Sequence, residues 1–326
     1  MSIKKKKIGV LTSGGDAPGM NAAIRSVVRS ALYHDMKVTG ILRGYEGLLS
    51  ADIMELTPRS VSDTIHRGGT ILLTARCQEM MTEKGQKKAA EICKVLGLDA
   101  LVVIGGDGSL NGALKLSKLG VNVIGIPATI DLDLPCSEYA IGFDTAVNTA
   151  MESINRIRDT SSSHERISVV EVMGRNAGYI ALWCAMTGGA EEVLIPEVEK
   201  EIVSVESVVS RILENRAKGK THNLVVVAEG IGGSMQLAKE LERITGIESR
   251  ATILGYLQRG GTPTALDRMH ASLMGYHAVK SILNEDFNKV MIVRDGKHIA
   301  LDLEEALSCE HSYDPELYDI MKILSV

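Results

Sequence analysis

Ala100-Leu101-Val102-Val103-Ile104-Gly105-Gly106-Asp107-Gly108-Ser109 decides the fold. Its aliphatic run is too short for a helix and is unbroken by polar side chains. It reads as a strand buried on both faces, the habit of parallel sheets. The glycines end the strand, and a helix through Lys118 follows. Glycine lets backbone N–H groups approach an anion that a side chain would hold away. Two more stretches repeat the arrangement. Thr12-Ser13-Gly14-Gly15-Asp16-Ala17-Pro18-Gly19 follows a strand over 8–11, and Pro127-Ala128-Thr129-Ile130-Asp131-Leu132-Asp133 follows one over 121–126. Such loops on separate strands, able to converge on one sheet edge, point to phosphoryl transfer. Glycines would serve the phosphates, and aspartates a metal or a proton.

Outward from these loops the chain alternates strand and helix, which implies parallel sheets with right-handed crossovers. A helix starts near Asn21, with Ile24, Val27, Val28, Ala31 and Leu32 on one face. A strand over 37–42 and a helix over 86–96 complete the first half. A helix over 144–158 leads to the polar stretch 159–164, which is expected to end it. A second cycle places strands at 167–172, 192–195, 224–228 and 251–254, and helices at 177–186, 203–218, 235–244 and 265–283. The expected fold is α/β, with two Rossmann-like three-layer domains of mostly parallel strands, a boundary near Gly142 and a cleft between the domains for ligands.

Composition agrees. With 326 residues the chain exceeds one ordinary core. Aromatics make up only 3% against 45% hydrophobic residues, so the core is aliphatic. The net charge is −5, and the run Lys4 to Lys7 reads as a solvated start, so no nucleic-acid partner is expected. No apolar stretch approaches the ~20 residues of a membrane span, and no signal-peptide pattern follows Met1. The five cysteines lack paired spacing, which fits a reduced set in the cytoplasm.

Read alone, the first loop fits a strand-to-helix turn as well as an anion site at a helix N-terminus. Asp107 suits a magnesium ion bridging phosphates, or a helix cap. Thr129, Asp131 and Asp133 alternate, so an extended segment would put them on one side. One carboxylate would then act as general base while another attends the metal; the bland alternative is a solvated polar loop. Arg76, Arg166, Arg175, Arg250 and Arg259 stand near strand ends and suit a phosphate-bearing substrate. Arg25 and Arg29 share a helix face, as a solvated pair or a second anion site.

With these residues in place, the chain resembles the bacterial ATP-dependent 6-phosphofructokinases. The matching motifs are 9–21, 67–76, 102–109, 129–133, 142–146, 157–164, 171–175 and 258–268. The resemblance implies an ATP-binding domain of 1–141 plus 257–308 and a sugar-phosphate-binding domain of 142–256 plus 309–326. It implies that Gly15, Arg76, Cys77, Gly106, Asp107, Gly108 and Ser109 hold ATP, with Asp107 on Mg2+. Asp131 would take the proton from the sugar 1-hydroxyl, assisted by Thr129 and Asp133, with Arg175 and Arg76 stabilising the phosphoryl charge. Met173, Gly174, Glu229, Tyr256 and Arg259 would hold fructose 6-phosphate, with Arg166 and Arg250 reaching it from a neighbouring subunit of a homotetramer. Arg25, Arg29, Asp63, Arg158, Gly189, Glu191, Lys218, Lys220 and His222 match an effector site where ADP-like activators and phosphoenolpyruvate compete.

Gly108 stands where pyrophosphate-dependent relatives carry aspartate, and Ala128 where they carry lysine, which favours ATP. Other positions depart from the pattern. Leu132 replaces the usual asparagine, Tyr256 a histidine, Tyr179 an aspartate and Pro58 an arginine, and Pro135-Cys136-Ser137-Glu138 also differs. Two alternatives stay open: a kinase of the same fold acting on another sugar phosphate, or a catalytically weak regulatory paralogue.

Overall fold

The computed structural model describes residues 5–198, 204–309 and 314–325; Lys4 and Val203 lie outside them. In chain order the elements begin with β1 (Lys7–Ser13), α1 (Met20–Tyr33), β2 (Lys37–Ile41), α2 (Gly44–Ser50) and β3 (Ile53–Leu56). Then come α3 (Glu83–Val95), β4 (Ala100–Gly105), α4 (Asp107–Lys118), β5 (Val123–Thr129), β6 (Ile141–Gly142) and α5 (Phe143–His164). The second cycle is β7 (Ile167–Val172), α6 (Tyr179–Gly188), β8 (Glu192–Leu194), α7 (Val205–Ala217), β9 (Asn223–Ala228), α8 (Ser234–Thr245) and β10 (Ser249–Ile253). The chain closes with α9 (Ala265–Leu283), β11 (Lys289–Arg294), β12 (Lys297–Asp302), α10 (Leu303–Ser308) and α11 (Pro315–Leu324). The fold is α/β, as expected, and divides into two compact units: Met1–Thr145 with Arg259–His311, and Ala146–Gln258 with Ser312–Val326.

The first unit is built on a sheet ordered β12-β11-β5-β4-β1-β2-β3, with β6 beside β5. Its central pairs are parallel, and the antiparallel pairs β2–β3 and β11–β12 close its two edges. Every residue of β4 is buried, which the continuous aliphatic run requires. Leu101 and Val103 join Leu11 and Ile41 in one core with Leu48 of α2, Ala89 of α3, Leu110 and Leu116 of α4, and Leu303 of α10. Each such leucine, isoleucine or valine contributes roughly 1.5–3 kcal/mol of burial. The apolar face of α1 is also buried at Ile24, Val27, Val28 and Ala31. That helix packs on α9, where Ser26 Oγ donates to the Ser272 carbonyl at 2.5 Å.

Asp267 of α9 is fully buried and organises the start of α5. Its Oδ1 accepts from Tyr139 Oη and Gly142 N–H, both at 2.6 Å. Its Oδ2 accepts from Thr145 N–H at 2.9 Å and from the Thr145 hydroxyl. Burial pushes this carboxyl above its ordinary range, and the donors pull it back. Asp267→Asn keeps the shape but turns an amide N–H2 toward a backbone N–H. We expect a loss of about 2 kcal/mol, read as a lower urea midpoint; an unchanged midpoint would contradict this role.

The second unit carries the sheet order β10-β7-β9-β8, all parallel. Ile167, Val169, Val225 and Val227 pack with Val208 and Ile212 of α7 and Leu237 and Leu241 of α8. One expectation fails at α5, which runs through the polar stretch to His164 instead of stopping at Arg158. Ser162 and Ser163 return their hydroxyls to the Asp159 carbonyl at 3.0 and 2.9 Å, and the Ser161 hydroxyl bonds that of buried Ser168. Hydroxyls satisfied within the helix do not break it. Glu165, at φ 54°, ends the helix. Among the described residues no helix is long and apolar enough to cross a membrane, and the five cysteines are free.

Candidate active site

The ends of β1, β4 and β5 are neighbours. Ser13 aligns with Gly105, and Gly105 with Pro127. Because the strands are parallel, all three loops leave one edge of the sheet, where open α/β folds bind ligands. The loops touch. A Cβ on Gly105 would lie 2.5 Å from the Ser13 carbonyl and 2.7 Å from Ser109 Oγ, so only glycine permits this approach. Arg259 lies over the first loop. Its Nη1 donates to the Asp16 carbonyl at 3.2 Å and sits where a Cβ on Gly15 would fall, 2.4 Å away.

The segment bearing Arg76 has no regular structure and is fastened to β1 and α1 by side chains. Asn21 Nδ2 donates to the Arg67 carbonyl at 3.0 Å, and its Oδ1 accepts Ile71 N–H at 2.7 Å. Thr12 Oγ1 donates to the Leu73 carbonyl, and Thr74 Oγ1 to that of Gly14. These anchors leave Arg76 exposed and Cys77 half-buried. Burial, ahead of its neighbours, pushes the Cys77 thiol up.

α4 starts within the second loop, with Gly106 as its N-cap and Asp107 in its first turn. Its free N–H groups face the edge where the loops meet. Asp107 Oδ1 accepts from Asn111 Nδ2 at 2.8 Å. Among the described residues no group of three or more His, Cys, Asp or Glu is arranged to hold a metal ion. One carboxylate beside phosphate oxygens suits Mg2+, which keeps waters and binds through few protein ligands. Sequence reasoning missed Tyr45, a buried residue of α2 whose Oη donates to the Ser109 carbonyl at 2.7 Å and so ties the second loop to α2. No local pattern marks it.

The third loop corrects an expectation. Thr129 closes β5, and Asp131 N–H donates to Thr129 Oγ1 at 3.1 Å. Both residues are buried, whereas Asp133 is half-buried. The backbone is not extended to Asp133, because Leu132 adopts φ 53°. The alternation that would put all three side chains on one side therefore breaks there. This left-handed conformation also gives the family's usual asparagine a physical reason, since asparagine adopts it at lower cost than leucine. Leu132→Asn is expected to stabilise the protein by about 1 kcal/mol, raising Tm by ~2–4 °C. A lower Tm would mean that the packing of Leu132 outweighs its backbone strain.

In the second unit, the chain leaves β7 through Met173, Gly174 and Arg175. Glu229, just beyond β9, accepts Gly174 N–H at 3.2 Å and Arg175 N–H at 2.6 Å on one oxygen. Tyr256 is 83% exposed in the 3-10 turn Gly255–Arg259. Arg166 and Arg250 are gathered elsewhere. Arg166 Nε donates to Glu248 at 2.6 Å and Arg250 Nη2 to the other oxygen at 2.5 Å. The Arg166 guanidinium leads in holding the Glu248 carboxyl below its usual range. Arg166 precedes β7 and Met173 follows it, so the two groups mark opposite edges of one sheet, roughly 20 Å apart at ~3.3 Å per residue.

The residues matched to an effector site divide likewise. Arg25 and Arg29 lie on α1, where burial and then the Arg29 charge pull the Arg25 pKa down, and Asp63 adopts φ 54° in the same unit. In the other unit Glu191 is buried before β8, where it accepts from Lys220 Nζ and Leu224 N–H. Arg158 Nη2 donates to the Gly188 and Gly189 carbonyls, and Lys218 caps α7. His222 immediately precedes β9.

Parallel-strand ends that gather glycine loops, a buried carboxylate and a helix N-terminus define the class of α/β phosphoryl-transfer proteins. The phosphofructokinase family model matches residues 7–282, and the chain belongs to that family. A Clostridium botulinum protein named ATP-dependent 6-phosphofructokinase is 57% identical over 320 residues, 98% of this chain and 99% of that one. Among solved structures, Saccharomyces cerevisiae phosphofructokinase aligns with TM-score 0.86 and 34% identity over 93% of this chain. Pichia pastoris phosphofructokinase in the T-state aligns with TM-score 0.89 and 32% identity over the whole chain. This chain spans only 45% and 37% of those two yeast chains.

Proposed function

We propose that this protein transfers the γ-phosphoryl group of ATP to the 1-hydroxyl of fructose 6-phosphate, giving fructose 1,6-bisphosphate and ADP in glycolysis. The observation that carries this reading is the meeting of the loops after β1, β4 and β5 on one sheet edge, where Thr129 lies against Gly106 at the start of α4 and buried Asp131 follows two residues on. The likeness to the 57% identical clostridial enzyme supports the same reading.

In this mechanism Gly15, Gly106, Gly108 and Ser109 offer backbone donors to the phosphates, and Arg76 and Cys77 border the nucleotide. Asp107 would hold Mg2+, which would supply positive charge against the phosphates. Asp131 takes the proton of the 1-hydroxyl as it attacks, while Thr129 orders the loop and Asp133 supports it. Arg175 and Arg76 balance the charge that develops on the transferring group. Met173, Gly174, Glu229, Tyr256 and Arg259 hold the sugar phosphate. The wide separation of Arg166 and Arg250 from Arg175 across one sheet favours their serving another subunit's sugar phosphate, which needs at least a dimer and fits the homotetramer with shared sites that the resemblance implies. Arg25, Arg29, Asp63, Arg158, Gly189, Glu191, Lys218, Lys220 and His222 would bind ADP-like activators and phosphoenolpyruvate. The cytoplasm, where free thiols persist, is the expected location.

The test is ADP release from MgATP with and without saturating fructose 6-phosphate. Sugar-dependent release is expected. ATP binding without sugar-dependent release, or release with another sugar phosphate alone, would move the reading to the alternatives raised by Leu132 and Tyr256.

A further inference from the structure

We propose that Gln258 is a positioning residue for Arg175, a role that rests on the reading of Arg175 as the group balancing phosphoryl charge. Gln258 is completely buried and ends the first of the two chain segments that make up the second unit. Its Oε1 accepts Met173 N–H at 2.8 Å. The next two N–H groups along the chain, of Gly174 and Arg175, both go to Glu229. Three successive backbone donors are thus held by two side chains from other parts of the chain, and none is left to sheet or helix.

The turn they hold is not one the backbone favours. Gly174 stands at φ 147° and Arg175 at φ 56°, a left-handed conformation that costs an arginine energy. Such a conformation persists where surrounding contacts over-determine it. Here the contacts are the Gln258 carboxamide, the Glu229 carboxylate, and a bond from Ala177 N–H to the Gly174 carbonyl at 2.9 Å. The Arg175 side chain itself is exposed, so its direction is set by this backbone and not by packing.

Gln258 also bears an unmet need. Its Nε2 is buried and has no hydrogen-bond partner among the described residues. The orientation of the amide is fixed, because Met173 N–H demands an acceptor. Half of the carboxamide therefore contributes nothing to folding, and an apolar side chain would fill the place with less desolvation. A buried carboxamide kept under those terms is explained by the one bond it makes, to the first residue of the turn.

The test uses the full-length protein with Gln258→Leu and Gln258→Met, two uncharged variants of similar volume that lack the acceptor, and with Gln258→Glu, which restores an acceptor oxygen. In the Leu and Met variants we expect kcat to fall about 10- to 100-fold, the cost of a reacting group displaced by about an ångström, with the KM for ATP within twofold of wild type. Hydrogen exchange at the Met173, Gly174 and Arg175 amides should quicken at least tenfold while the β9 amides keep their protection. Recovery of both by Gln258→Glu would add support. Unchanged exchange at the three amides, or a folded Leu variant with wild-type kcat, would overturn the proposal. A loss of Tm with kcat per folded molecule unchanged would also overturn it, by making Gln258 merely structural. If the wild-type protein does not phosphorylate fructose 6-phosphate, the functional reading fails separately, and the exchange measurement still decides whether Gln258 sets the turn.

Discussion

Replacing Asp131 by asparagine is expected to lower kcat by about 10²–10⁴-fold while leaving ATP affinity within about threefold. The substitution is nearly isosteric, and the loop has backbone anchors besides the carboxylate. Thr129 Oγ1 accepts the Asp131 backbone N–H at 3.1 Å, and β5 pairs with β4 up to Pro127. The introduced carboxamide would therefore occupy the same buried place without an oxygen able to take a proton. The loss should fall on the chemical step, since the groups proposed for ATP stand in the loops after β1 and β4 and in the segment bearing Arg76 and Cys77 instead. Steady-state kinetics with calorimetric ATP binding would check this. A kcat within fivefold of wild type would remove Asp131 from the role of base.

Gly108→Asp is expected to weaken ATP binding by about 10³-fold while leaving the protein as stable as before, or more so. The opposite signs make this prediction discriminating. Gly108 is exposed in the first turn of α4, its φ is ordinary, and a Cβ there would meet nothing within 4 Å. Losing a glycine stabilises by about 0.4–1 kcal/mol, and an acidic residue at a helix N-terminus by about 0.3–1 kcal/mol. The same carboxylate would stand where the phosphates of ATP are proposed to lie. Two like charges ~4 Å apart near a protein surface repel by about 4 kcal/mol, which is about a thousandfold in affinity. Calorimetry against ATP, with a thermal melt of the free protein, separates the effects. Unaltered ATP affinity would place the nucleotide elsewhere.

Much of this architecture was legible because a buried parallel strand writes itself as an unbroken aliphatic run. The 100–104 run became β4, and the loops after it and its neighbours met on one edge as expected. Other features depend on tertiary partners that no local pattern reveals. The stretch 159–164 looks like a helix end, but its serines bond back to Asp159 and across to Ser168. The alternation of Thr129, Asp131 and Asp133 suggests an extended segment, and the left-handed backbone at Leu132 is invisible in the sequence. Edge strands β3 and β12 carry half-exposed, mixed side chains and leave no apolar run to read. β11 was missed although Val290 to Val293 is plainly aliphatic. Tyr45 and Gln258 act through a single hydrogen bond each, from distant parts of the chain, to the loops they support.

The most direct measurement is phosphorus NMR of the purified protein with MgATP and fructose 6-phosphate, following every phosphorus species to completion. The account predicts that ADP and a second sugar phosphomonoester, at carbon 1, appear in equal amounts with no free inorganic phosphate. ADP and inorganic phosphate without a new phosphomonoester would contradict it, as would unchanged ATP in a sample shown to bind the nucleotide.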